Sequence, residues 1–67
     1  MTKEDVKLFS GKLKWFKEWH GNNKPESILT TFITGVFKVS EKEARKILKE
    51  AVKLKLVTIV DGIATII

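Results

Sequence analysis

The chain contains no cysteine, no glutamine, and only one histidine, one methionine and one proline. Without cysteine, disulfides and thiolate metal sites are excluded. His20 alone cannot supply a multi-histidine site. No apolar run approaches the ~18–20 residues of a membrane span, and the charged start MTKEDVK lacks the apolar core of a signal peptide. These absences predict a soluble, intracellular, cytoplasmic chain without membrane segment, metal or cofactor. Its 67 residues allow one domain, and a domain of that size buries only about 60% of the surface its unfolded chain exposes. Close packing and association with a second subunit are the stabilising devices left to it. The chain opens on Met1 and is expected to be a complete small protein.

What is abundant is lysine. Thirteen basic residues face eight acidic ones, a formal net charge of +5. That balance favours nucleic acid or another polyanion as partner. Twelve lysines with six glutamates and no glutamine also lean toward a thermophile.

There is no internal repeat, no low-complexity tract and no interdomain linker. The clearest break is GNNKP at 21–25, where glycine, two asparagines and the only proline cluster. Before it, a helix is expected over about 3–20, with Thr2 as its cap and Asp5 completing an acidic capping box. At about 100° per residue, Val6, Phe9, Leu13 and Phe16 form an inward stripe, and Leu8, Trp15 and Trp19 form a second stripe beside it. Gly11 is placed to kink this helix and Gly21 to end it. A second helix is expected over about 25–34, from Pro25 or Glu26 through Ile28, Leu29, Phe32 and Ile33. Three threonines and Gly35 argue that it stops near Thr34. A third helix is expected over about 41–53, with Ser40 and Glu43 as capping box. Ala44, Ile47, Leu48, Ala51 and Val52 make its apolar face. Lys42, Lys46, Lys49 and Lys53 line the opposite face, with Arg45 at its edge.

The end, about 56–67, reads as a hairpin turning at Asp61-Gly62, the residues that favour a two-residue type I′ turn. That turn pairs Val60 with Ile63, Ile59 with Ala64, Thr58 with Thr65 and Val57 with Ile66. Val57, Ile59, Ala64 and Ile66 then face the core, and Thr58, Val60, Ile63 and Thr65 face outward.

Helix, short helix, turn, capped helix and hairpin, and in particular VSEKEARKILKEAVKLKLVTIVDGIATI, resemble a winged helix-turn-helix domain. The resemblance is strongest over 39–67, reasonable over 25–38, and similar to small lysine-rich archaeal examples. It implies an α+β, mainly α fold: three helices followed by a C-terminal β-hairpin wing. It also implies a DNA-binding protein, a small transcriptional regulator or chromatin-type protein, whose third helix enters the major groove of duplex DNA. By position, the contacting side chains are Lys38, Ser40, Lys42, Arg45, Lys46, Lys49 and Lys53. Arg45, the only arginine, is the one side chain able to fork onto guanine O6 and N7, whereas the lysines suit phosphates. Against this, a lysine line opposite an apolar stripe is also what any solvated helix face looks like, and Glu41, Glu43 and Glu50 flank it. The wing departs from the DNA-binding pattern: no lysine or arginine lies between Leu56 and Ile67, and its tip carries Asp61. An apolar, acid-tipped wing suits the alternative, a protein–protein adaptor within a replication, transcription or ribosomal assembly.

No catalytic constellation is visible. Ser10, Ser27 and Ser40 share one histidine and no motif; Glu4-Asp5 sits at a helix start, where it complements the dipole; the four glycines do not form a phosphate loop. His20, one residue before Gly21, reads as a capping or solvated group.

Both tryptophans fall four positions apart within LKWFKEWHGNNKP. They have three readings: closing the core, an interface built with Leu8, or stacking on single-stranded bases. The inward stripe is already complete without them, and Lys12 separates them from it. The expectation is therefore that Trp15 and Trp19 lie at least partly outside the monomer core and serve, with Leu8, a homodimer or other protein interface.

Overall fold

The structure is a computed structural model and describes residues 1–67. It contains helix α1 (Lys3–His20), strand β1 (Asn23–Pro25), helices α2 (Glu26–Phe37) and α3 (Glu41–Lys53), and strands β2 (Val57–Val60) and β3 (Ile63–Ile66). The three helices pack on an antiparallel sheet of order β1-β3-β2.

Thr2 caps α1 as its sequence suggests. Its hydroxyl accepts from the Asp5 N–H at 3.1 Å, and the Asp5 carboxylate accepts from the Thr2 N–H at 3.1 Å. The helix runs unbroken through Gly11 to Gly21, whose N–H donates to the Lys17 carbonyl. Ser40 caps α3, its hydroxyl accepting from the Glu43 N–H at 3.2 Å. Only this half of the expected capping box forms, because the Glu43 carboxylate reaches forward to Lys46 instead.

The second helix is longer than expected and ends at Phe37, not near Thr34. Its threonines do not break it because their hydroxyls donate within the helix: Thr30 to the Glu26 carbonyl, Thr31 to Ser27 and Thr34 to Thr31. The terminator is Lys38, at φ 53°, not Gly35. The N–H groups of Lys38 and Val39 both reach the Thr34 carbonyl. Extending the helix places Phe37 edge-on to Phe9, ring centroids 5.7 Å apart, and Val39 against the core. The third helix ends similarly: Lys55, at φ 62°, occupies the left-handed position, and the Leu56 N–H donates to the Ala51 carbonyl at 2.9 Å. That is a Schellman-type stop with lysine where glycine is usual.

The hairpin has the expected register, Val57 opposite Ile66 through Val60 opposite Ile63, with Asp61 at φ 52° and Gly62 at φ 77°. The GNNKP break, however, is more than a turn. Asn23, Lys24 and Pro25 form the third strand, paired with Thr65, Ala64 and Ile63. The Ile66 N–H donates to the Asn22 carbonyl, the Glu26 N–H to Gly62, and the Thr65 hydroxyl to the Asn23 side-chain oxygen at 2.7 Å. Pro25 lacks a donor, and it sits on an edge strand just before a helix, where none is required.

Phe9, Leu13 and Phe16 from α1, Leu29 and Ile33 from α2, and Ala44, Leu48 and Ala51 from α3 meet Val57, Ala64 and Ile66 from the sheet. Phe9, Leu29, Ile33, Leu48 and Val57 are fully buried, each contributing about 1.5–3 kcal/mol by the usual transfer scale. Val6, expected in the inward stripe, is only half-buried, and Phe32 and Ile47 lie at the core's margin; Val52, assigned to the apolar face of the third helix, is exposed. The one buried polar side chain outside the apolar set, Thr30, is satisfied by its bond to Glu26. No helix is long and apolar enough to cross a membrane.

Candidate nucleic-acid interface

Burying Ala44, Leu48 and Ala51 orients α3. Side chains half a turn away must then point outward, and Lys42, Lys46, Lys49 and Lys53 are all exposed. From Lys42 to Lys53 this line extends about 16 Å at 1.5 Å per residue. Lys46 Nζ lies 3.5 Å from the Glu43 carboxylate. Lys42, Lys49 and Lys53 have no carboxylate within ion-pair distance. Lys38, in the turn between α2 and α3, is exposed and equally free. The Ser40 hydroxyl is engaged as the α3 cap.

Arg45 is placed differently from the lysines. It sits at the edge of α3, ion-paired with Glu41 one turn earlier. Both border a small cleft against the start of α2, shared with Glu26, Ser27 and Thr30. Glu41 therefore holds the only guanidinium, and Glu26 borders the same cleft. The pair is solvent-exposed, and such pairs are worth at most about 1 kcal/mol, so a stronger anion can displace Glu41.

The hairpin presents a different surface. Val60 and Ile63 are exposed on its outer face, beside Asp61 and without any cation on either strand. On α1, Leu8 is 46% exposed, Trp15 50% and Trp19 71%. The two indoles lie 6.4 Å apart, and the His20 ring packs against Phe16 at 4.9 Å. Trp15 and Leu8 form one wall of a groove of about 750 Å³ between α1 and α2. The α2 wall of that groove holds Phe32, Gly35 and Val36, the last two beyond the helix end expected near Thr34. Gly35, which argues for a helix end near Thr34 in the sequence, lies instead inside α2 on that wall. No three His, Cys, Asp or Glu side chains converge anywhere in the fold.

Comparison with known proteins adds no relative: no family model, curated protein or solved structure matches the chain.

Proposed function

We propose that this chain is a winged helix-turn-helix module that binds duplex DNA through α3. Three helices followed by a hairpin, with α3 capped and docked on the core, support that reading. The observation that carries the DNA reading is the outward line of Lys42, Lys49 and Lys53, exposed and unpaired, directly opposite the buried face of α3. A major groove about 12 Å wide admits such a helix. The lysines and Lys38 then neutralise phosphates, and Arg45 exchanges Glu41 for a base edge or a phosphate. The test is a mobility shift with mixed-sequence duplex at two salt concentrations, comparing wild type with a Lys42→Ala, Lys49→Ala, Lys53→Ala variant. Salt-sensitive binding weakened in the variant is expected.

One observation favours a second reading. Exposed Val60 and Ile63 flank Asp61 on a wing without cations, a surface suited to a protein partner rather than phosphate. Absence of duplex binding even at low salt refutes the first reading and leaves the adaptor.

A further inference from the structure

The groove between α1 and α2 is unexplained by DNA contact, since no α3 residue lines it. Leu8, Gly11 and Trp15 form its α1 side, and Phe32, Gly35 and Val36 its α2 side. Gly11 and Gly35 lie inside helices, without positive φ, and a Cβ built on either meets nothing within 4 Å. Neither backbone geometry nor packing within the monomer calls for glycine there. A helix-interior glycine is unfavourable relative to alanine, so two in one groove are best explained by something approaching from outside.

We propose that this groove is a two-fold interface between two copies of the chain. A two-fold interface uses the same patch on both partners, so the patch must hold both a projection and a recess. This one does. Trp19 projects, 71% exposed, next to Trp15, and the recess over Gly11 and Gly35 opens on the same face. Gly11 lies three residues after Leu8 and four before Trp15. Leu8, Trp15 and Trp19 therefore share one side of α1 with Gly11, and no Cβ at Gly11 holds an approaching copy away. Lys7 and Lys12 also line the groove; their stems cover apolar wall while the ammonium groups stay in water.

The areas agree with this occupant. Taking about 250 Å² for a fully exposed tryptophan side chain, the exposed shares of Trp15 and Trp19, 50% and 71%, give roughly 300 Å² per copy. That is over a third of the ~800 Å² each partner contributes to a standard interface. Leu8 adds to it, as does Ile28, 48% exposed and one turn before Phe32 on the same side of α2.

The test is sedimentation of the wild type from micromolar to near-millimolar concentration, with tryptophan emission recorded alongside. A dimer that dissociates on dilution, with emission shifting to the blue as it forms, is expected. Gly35→Leu fills the recess and Trp19→Ala removes the projection. Each is expected to raise the dissociation constant at least tenfold while leaving the helical circular dichroism intact, and Lys49→Ala is expected to leave it unchanged. A wild type that stays monomeric throughout overturns the proposal and leaves the groove to a different chain. So does a dimer whose dissociation constant neither Gly35→Leu nor Trp19→Ala alters.

Discussion

Gly62→Ala and Lys55→Gly exchange glycine and a side chain at two turns of similar backbone geometry, and their effects should have opposite signs. Gly62 has φ 77° and Lys55 φ 62°. Nothing lies within 4 Å of a Cβ built on Gly62, so Gly62→Ala meets no clash and reports the backbone alone. The left-handed conformation costs an L-residue about 1–2 kcal/mol. Alanine recovers about 0.4–1 kcal/mol by restricting the unfolded chain. The net loss is about 1 kcal/mol, and Gly62→Val loses more because its branched Cβ suits positive φ less. Lys55→Gly reverses both terms and gains about 0.5–1 kcal/mol, since Lys55 is exposed and makes no ion pair that would be lost. For a domain of this length 1 kcal/mol moves Tm by about 4–8 °C. Thermal and urea melts followed by circular dichroism, at one low protein concentration, measure both. A Gly62→Ala protein that melts with or above wild type would show that the hairpin does not turn at Asp61-Gly62. A Lys55→Gly protein that melts below it would show that α3 does not end on a left-handed residue.

Leu48→Ala removes a side chain only 1% exposed at the centre of the core and is expected to cost about 2–5 kcal/mol, read from the urea midpoint; a cost under 1 kcal/mol would mean α3 is docked by another face. Ser40→Ala removes the α3 cap and should cost about 1 kcal/mol while DNA affinity measured well below Tm stays unchanged, so a large affinity loss would give Ser40 a contact of its own. For DNA binding, counterion release gives a log–log salt slope of about −0.9 per phosphate neutralised, so four or five contacts imply roughly −4. Replacing Lys42, Lys49 and Lys53 by alanine should flatten that slope by between two and three units, and an unchanged slope would place the phosphate contacts elsewhere. Arg45→Ala together with Lys49→Ala should also weaken binding, with Arg45 contributing only after release from Glu41; an unchanged affinity would exclude both side chains from the contact.

Much of the fold was legible because the decisive signals were local. Thr2 with Asp5, Ser40 with the Glu43 N–H, and Asp61-Gly62 each satisfy or bend the backbone within a few residues, so no tertiary context is needed to read them. Hydrophobic periodicity located most of the inner faces of α1 and α3 for the same reason, with Val6 and Val52 the exceptions. The lysine line of the candidate DNA interface follows from the α3 period alone, and the displacement of the Trp15 and Trp19 stripe from the core-facing one follows in the same way from the α1 period.

Other features needed the folded chain. Asn23–Pro25 has neither the length nor the residue types of a strand; it is one because β3 offers it a partner, and strand propensity counts for little against available pairing. The length of α2 was settled by Phe37 and Val39 reaching the core, a gain that outweighs placing Lys38 in a left-handed conformation where the sequence carries no glycine to announce the stop. Arg45 stands at the α2 border beside Glu41 and Glu26 because the packing of α2 on α3 sets which edge of the helix meets its neighbour. The α1–α2 groove likewise exists only once two helices lie side by side: one helix period determines which side chains share a face, whereas tertiary packing alone determines which faces are left uncovered.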